Sequence, residues 1–272
     1  FCSFVGLSLT GCRDTTEKTD EQPADFAVRP GVETATVLNA ESGAALTLYD
    51  PDGSELVTLI ADDLGQAHFA YIPSEPIVLD PNNFETVSLE NGRVLAPSSG
   101  YVIRDEQGNW SGEFRVMTVD DIPDESLYGG QPLVGIVRSP LSGDAEDPLN
   151  GYQYLTMRDG VSLSAMVRFP DPLLYGDGPY PTVVEYSGYS PSRPDRMGGG
   201  SEIANAFGYA TVSVNMRGSG CSGGVYDVFN RAQHADGYDI VEIVARQEWV
   251  LNGKVGMVGL SYPGISQLYV AS

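Results

Sequence analysis

The chain has few of the residues that build covalent or metal-bound frameworks. Its 272 residues include three cysteines, Cys2, Cys12 and Cys221, and two histidines, His68 and His234. Three cysteines so far apart predict no disulfide framework. A structural zinc site needs closely spaced pairs of ligands, and these spacings supply none. We therefore expect no metal site.

Basic residues are also scarce. The chain has 15 Lys and Arg against 37 Asp and Glu, which gives a formal net charge of -22. Such a surface repels phosphate, so nucleic acid and bare anionic membranes are poor partners. Hydrophobic residues make up 42% and aromatic residues 10%, which is ordinary for a folded protein. The length suits one large domain or two smaller ones.

The apolar N-terminus is too short to span a bilayer, which takes about 20 residues. Residues 1–12 have the pattern of the apolar region and cleavage zone of a signal peptide, and the tetrad Leu9-Thr10-Gly11-Cys12 resembles a bacterial lipobox. That resemblance implies that Cys12 carries a lipid and becomes the mature N-terminus. A chance apolar terminus is the alternative. We expect a truncated signal peptide over 1–12, a flexible linker over 13–28, and an extracytoplasmic bacterial lipoprotein that meets the membrane or cell surface only through Cys12.

A β-rich stretch, residues 29–118, follows and is called the β-domain below. Short alternating segments separated by turn signals favour a small β-sandwich. His68 stands alone between apolar neighbours and is interpreted as a strand histidine. The predicted strands are Thr34–Leu38, Ala45–Tyr49, Glu55–Ile60, His68–Ile72, Glu85–Leu89 and Tyr101–Ile103.

The remaining residues are divided into a connecting segment, 119–150, with one strand predicted at Leu133–Val137, and a unit over 151–272 in which strands alternate with helices. That alternation favours a mostly parallel sheet flanked by helices. The predicted helices are Ser201–Phe207, capped by Ser201, and Asp236–Val250, capped by Asp236 and ended by Asn252-Gly253. The predicted strands are Tyr152–Arg158, Val161–Phe169, Pro181–Tyr186, Tyr209–Val214 and Lys254–Leu260.

Ser261 lies between the last of these strands and a predicted helix, in the run Gly259-Leu260-Ser261-Tyr262-Pro263-Gly264. This context predicts a nucleophile elbow, in which a sharp strand-to-helix turn strains the serine and exposes Oγ. The N–H of Tyr262 would then point at a developing oxyanion. Pro263 stands where the usual motif has glycine, and proline is tolerated in the first turn of a helix. A purely structural turn is the alternative.

Three further segments agree with this interpretation. They are Val183–Tyr189 at the end of one strand, Asn215–Gly224 after the next, and Asp236–Asp239. Together with the Ser261 run they resemble the X-Pro dipeptidyl-peptidase and cocaine esterase family of α/β-hydrolases, over roughly 152–272. In that family the glycine follows the serine by three places, as Gly264 does here. The resemblance implies an incomplete α/β-hydrolase fold behind the small all-β domain.

The same resemblance implies an oxyanion hole made of the Tyr189 hydroxyl and the Tyr262 N–H, with Ser261 as nucleophile. A loop aromatic that covers the sheet is the alternative reading of Tyr189. Arg217 is expected to hold its glycine-rich loop without chemistry. That loop lacks the lysine and the spacing of a phosphate cradle.

The rest of a catalytic triad is not found in the sequence. In α/β-hydrolases the acid and the histidine follow the serine, but residues 262–272 contain no Asp, Glu or His. We expect both beyond the end of this chain and expect the piece alone to be inactive. His234 is disfavoured as the base because it precedes the helix that leads to the nucleophile strand.

The sequence as a whole predicts a serine hydrolase that cleaves ester or amide bonds of small molecules or peptides through an acyl-enzyme, without a cofactor. Peptidase, esterase and β-lactam acylase activities stay open, as does the oligomeric state. The rival from another class is a non-catalytic surface-binding lipoprotein.

Overall fold

The computed structural model describes residues 22–74, 78–79, 92–137 and 147–272. The predicted signal peptide with Cys12, most of the predicted linker and the predicted strand Glu85–Leu89 lie outside these ranges. The first strand begins at Ala27, two residues inside the predicted linker. Pro23 already pairs with Trp110, so the β-domain begins earlier than its composition suggested.

The described residues of the β-domain form two main sheets, with the orders β1-β2-β5 and β10-β9-β3-β4-β7, and β6 pairs separately with β8. Inward-facing residues of both main sheets, such as Val37, Phe69, Leu46 and Ile103, share one apolar core. The strands are β1 Ala27–Gly31, β2 Thr34–Leu38, β3 Ala45–Tyr49, β4 Glu55–Ile60, β5 Ala67–Phe69, β6 Tyr71–Ile72, β7 Val78–Leu79, β8 Arg93–Val94, β9 Ser99–Asp105 and β10 Phe114–Arg115.

Local pattern placed β2, β3 and β4 correctly, because β2 and β3 alternate and Asp50 closes the turn that leads from β3 to β4. The Asp50 carboxylate accepts from the N–H groups of Asp52 and Ser54 at 3.0 and 2.8 Å. The prediction of one strand over His68–Ile72 was wrong. Two strands, β5 and β6, separate at Ala70 and join different sheets.

The connecting segment contains a short helix, α1 (Glu125–Gly129), that the sequence analysis missed, and a strand of two residues, β11 (Ile136–Val137). The Asp124 carboxylate caps α1 by accepting from the Ser126 N–H at 2.8 Å. The predicted strand Leu133–Val137 is therefore too long.

Six of the described strands form one sheet between residues 136 and 257, in the order β11-β13-β15-β14-β16 with β12 beside β13. Among these described strands, three pairings are parallel and two antiparallel. Their elements are β12 Tyr152–Thr156, β13 Ser162–Phe169, α2 Pro172–Tyr175, β14 Tyr180–Ser187, α3 Gly199–Ala206, β15 Ala210–Asn215, α4 Arg231–Ala245, β16 Val250–Met257 and α5 Tyr262–Val270.

Helices cover both faces of this sheet, and neighbouring residues of β14 show how. Successive strand side chains point to opposite faces. Tyr186 donates its hydroxyl to the Gln233 carbonyl of α4 at 3.3 Å, whereas the Glu185 carboxylate accepts from the Ser201 hydroxyl of α3 at 2.5 Å. Thus α3 and α4 lie on opposite faces, and β14 lies between them.

Both predicted helix caps were wrong. Helix α4 begins at Arg231 with Asn230 as its cap, and Asp236 lies inside the helix, fully buried. The helix also ends at Ala245, because Val250 already pairs with Tyr180 of β14. Helix α3 begins at Gly199 after Gly198, and Ser201 is buried against Glu185.

Candidate active site

Ser261 is the last of the four residues between the end of β16 and the start of α5, and its backbone is strained. Its φ of 65° and ψ of -124° lie in a region that residues with a Cβ rarely adopt. Such a conformation costs about 1–3 kcal/mol and persists only where the surroundings enforce it. The serine is exposed. The predicted sharp turn is therefore present.

Gly259 and Pro263 meet across this turn. A Cβ on Gly259 would lie 2.7 Å from the Pro263 carbonyl carbon, which is too close for any side chain. Pro263 itself is buried in the first turn of α5, as the sequence predicted. Proline has no N–H, but an N–H in the first turn of a helix has no intrahelical acceptor, so no hydrogen bond of the helix is lost.

Tyr262 is the first residue of α5, so its N–H has no intrahelical partner and points out of the positive end of the helix. Its side chain turns inward and is buried. The phenol donates to Gln233 Oε1 of α4 at 2.9 Å, and this bond limits the rotation of the first turn of α5. Sequence reasoning missed Gln233, whose position on a helix face carries no local signal for this contact.

Tyr189 follows β14 and lies at the same edge of the sheet as the elbow. Parallel β14 and β16 bring their carboxyl ends together, and the Tyr189 and Tyr262 ring centroids are 6.0 Å apart. The Tyr189 side chain is 64% exposed, while its N–H donates to the Ser187 hydroxyl at 3.0 Å. The structure thus brings the three predicted site residues, Ser261, Tyr262 and Tyr189, to one place.

A cavity of about 680 Å³ opens beside the elbow. It is lined by Tyr189 and by Leu260 and Pro263, which flank Ser261 in the chain, together with Glu185, Arg196 and Ile203. Its position next to the exposed serine leaves space for a substrate group.

Arg217 holds the glycine-rich loop after β15 through buried ion pairs. It donates to the Asp236 carboxylate at 2.7 and 2.5 Å and to Asp159 at 2.9 Å. Burial lowers the pKa of Arg217, but the facing carboxylates of Asp236 and Asp159 outweigh it and raise that pKa above its ordinary value. Burial raises the pKa of Asp236 to about 6 against the opposing effect of Arg217, and we expect an ionised pair at neutral pH.

His234, a residue of α4, contacts α5 too far from Ser261 to act as its base. Its ring stacks on Tyr269, with centroids 4.5 Å apart, and Tyr269 is eight residues beyond Ser261. At 1.5 Å of rise per residue, this separates the histidine from the serine by roughly 12 Å. His68 lies in the β-domain, where its Nδ1 is 2.9 Å from the Thr36 hydroxyl. The structure brings neither histidine to the elbow.

Within residues 22–74, 78–79, 92–137 and 147–272, no group of three or more His, Cys, Asp or Glu side chains is arranged to hold a metal ion. In the same part of the chain, no helix is both long and apolar enough to cross a membrane.

A largely parallel sheet covered by helices on both faces, with a strained serine between a strand and a helix, defines a partial α/β-hydrolase fold. Residues 159–272 match the model of the X-Pro dipeptidyl-peptidase family, S15. This part of the chain is similar to the X-Pro dipeptidyl-peptidase and cocaine esterase family.

The chain is also similar to individual proteins. The chain is 32% identical over 120 residues to the cocaine esterase of Rhodococcus sp. (strain MB1 Bresler), a match that covers 42% of this chain and 20% of the relative. Two proteins of known structure are each 26% identical to this chain. One is a CocE/NonD family hydrolase from Staphylococcus aureus (44% of this chain, 24% of that one, TM-score 0.38), and the other an α-amino acid ester hydrolase (48% and 26%, TM-score 0.36). The chain spans about a fifth of the length of the curated relatives it matches.

Proposed function

We propose that the whole protein is a serine hydrolase in which Ser261 attacks the carbonyl carbon of an ester or amide. The observation that carries this proposal is the strained, exposed Ser261 at the start of α5. A turn with only a structural role gives no reason to keep a non-glycine residue in this conformation, whereas a nucleophile needs the exposure that the strain provides.

The neighbouring groups support a mechanism through an acyl-enzyme. Ser261 Oγ bonds to the carbonyl carbon, and the carbonyl oxygen becomes an oxyanion that accepts from the Tyr262 N–H and the Tyr189 hydroxyl. The intermediate then expels the alcohol or amine, which takes up a proton. Water attacks the acyl-enzyme, and Ser261 is released with the acid product.

A general base must take the serine proton, and an acid must orient that base. Since neither His68 nor His234 lies beside Ser261, we propose that a His and an acidic residue outside these 272 residues fill both roles. The 272-residue chain alone is then expected to bind covalent probes slowly and to show no turnover. Measurable Ser261-dependent hydrolysis by this chain alone would contradict that expectation.

The substrate is proposed to be a small ester or amide, or a peptide. The names of the relatives, cocaine esterase and α-amino acid ester hydrolase, favour esters, and the S15 family name points to peptides with proline at the second position. Rates on a panel of p-nitrophenyl esters, X-Pro anilides and β-lactams would rank the three activities.

A fluorophosphonate probe tests the nucleophile directly, because it bonds to activated serines. The full-length protein is expected to be labelled, and Ser261→Ala is expected to abolish both labelling and hydrolysis. Ser272→Ala is the matched control, since Ser272 is an exposed serine close to the end of the same helix. Persistent labelling of Ser261→Ala would place the nucleophile elsewhere, and a wild type without labelling would favour the non-catalytic surface-binding alternative.

We also propose that lipidation of Cys12 holds the protein at the extracytoplasmic face of a membrane. The lipobox-like tetrad before Cys12 supports this location. Cys12→Ser is expected to release the full-length protein from the membrane fraction into the soluble fraction. Retention of that variant in the membrane fraction would refute the lipid anchor.

A further inference from the structure

Residues 225–230, called the bridging segment below, lie between the β-domain and the candidate oxyanion hole. They follow the glycine-rich loop and precede α4. Two of the six residues are aromatic and contact the site, and one is acidic and contacts the β-domain. The inference drawn from them rests on the proposed function.

On the site side, the segment packs against the Tyr262 ring and against Gly188, the residue before Tyr189. The Phe229 ring stacks on the Tyr262 ring, with centroids 5.0 Å apart and planes 10° apart. The Tyr226 ring also lies beside the Tyr262 ring, with centroids 6.4 Å apart. The same ring lies so close to Gly188 that a Cβ there would be 2.8 Å from Tyr226 Cε2. The segment therefore contacts the residue before Tyr189 as well as Tyr262.

On the other side, the segment is bound to the β-domain. The hydroxyl of Tyr71, on β6, donates to Asp227 Oδ2. This hydrogen bond to Asp227, together with burial, raises the pKa of Tyr71 to about 12, so the phenol stays a donor at every pH at which the protein would work. Asp227 Oδ2 is also 3.5 Å from the Asn230 amide, which belongs to the cap of α4.

The backbone of the segment is itself strained. Phe229 has a φ of 61°, a left-handed conformation that a bulky residue adopts only under constraint. The contacts at its two ends supply that constraint: Tyr262 on one side and the Tyr71–Asp227 bond on the other. Loss of one end would let the segment relax away from Tyr262.

The Tyr71–Asp227 bond is not what joins the β-domain to the sheet. Val32 of the β-domain, 1% exposed, packs against Ala232 and Ala235 of α4. This apolar contact is independent of Tyr71, whose side chain is 42% exposed. Removal of the Tyr71 hydroxyl should therefore leave the two parts joined and disturb only the bridging segment.

We infer that Tyr71 and Asp227 are positioning residues for the oxyanion hole, and that the β-domain contributes to catalysis through Tyr71. Tyr71 and Asp227 act through the bridging segment, which fixes the position of the Tyr262 N–H and of the loop that carries Tyr189. Small displacements of such donors reduce rates strongly, by about a hundredfold for 1 Å. Since the segment keeps its other contacts, we expect about a tenfold loss.

The experiment uses the full-length protein with the variants Tyr71→Phe and Asp227→Ala, singly and together. Each single variant should lower kcat for a p-nitrophenyl ester about tenfold and change KM less than twofold. The double variant should be no slower than the slower single variant, because both remove one bond. Tyr175→Phe is the matched control: Tyr175 is also 42% exposed and donates to a backbone carbonyl, that of Ala206, at 2.7 Å.

Amide hydrogen exchange is a second measurement, and it does not depend on catalytic activity. Tyr71→Phe should speed exchange in the peptides that contain residues 225–230 and 262–265, and Tyr175→Phe should not. If fluorophosphonate fails to label the wild type, the proposed function fails, and exchange still decides whether Tyr71 orders the segment. Wild-type kcat in Tyr71→Phe, additive effects in the double variant, or unchanged exchange would each overturn the inference.

Discussion

The β-domain and the unit over 151–272 bury different kinds of side chain. Among the described residues of the β-domain, the buried polar groups are three threonines, Thr34, Thr36 and Thr58. The other unit buries full charges close to its candidate site, including Arg217 with Asp236, and Arg158 with Asp239 at 2.7 Å. Buried charges are costly unless they are paired.

The difference shows that buried side chains have a different role in each unit. In the β-domain, alternating apolar residues stabilise two sheets and need no ionic contacts inside. In the second unit, the charged pairs join the loop after β15 and the turn between β12 and β13 to the middle of α4, at the edge of the sheet where Ser261 lies. Burial thus stabilises the fold in the first unit and positions the site in the second.

The largest expected effect is a loss of catalytic activity when the turn around Ser261 is displaced. Gly259→Ala should lower kcat/KM of the full-length protein by at least about a hundredfold, because a Cβ there collides with Pro263 and displaces Ser261. Gly256→Ala, three residues earlier and within β16, is the control, since its Cβ would meet Val183 Cγ1 at an ordinary 3.5 Å. Equal activity of the two variants would show that the elbow tolerates the displacement.

The next effect is a loss of stability, and it tests the role of the buried charges. Arg217→Met should lower the free energy of unfolding by about 3–5 kcal/mol, because it leaves the Asp236 and Asp159 carboxylates buried without their partner. Arg115→Met is the comparison, since Arg115 pairs with Asp121 at the surface and such pairs contribute little. Urea unfolding of both variants measures the difference. Equal losses would contradict the contrast drawn between the two units.

The smallest effect is a pH dependence that arises in the β-domain. Burial, and then the charges of Arg217 and Arg29, lower the pKa of His68 to about 4. The unfolded chain therefore binds more protons than the folded one between about pH 6.5 and pH 4, so stability falls as the pH falls through that range. The loss from this residue is at most about 3 kcal/mol. Urea unfolding at several pH values should show a flatter profile for His68→Gln, and an unchanged profile would refute the assignment.

Local sequence was sufficient for strands whose side chains alternate between turn residues. Strands β2, β3 and β4 have their predicted bounds, and β14 and β15 differ by a residue or two. The helix ends were harder to predict, because an Asp before an apolar stripe is the usual sign of a cap. Asp236 is instead a partner of Arg217, 19 residues earlier, and no local pattern encodes that contact.

The elbow around Ser261 was determined by the sequence itself, since a strand, two glycines and a proline leave few backbone paths between strand and helix. Tertiary structure decided what surrounds it. The parallel sheet brought Tyr189 beside Tyr262, α4 brought Gln233 to the Tyr262 hydroxyl, and the β-domain brought Tyr71 to Asp227, 156 residues away. Contacts over such separations depend on which faces can be buried together, and periodicity within one segment does not record that choice.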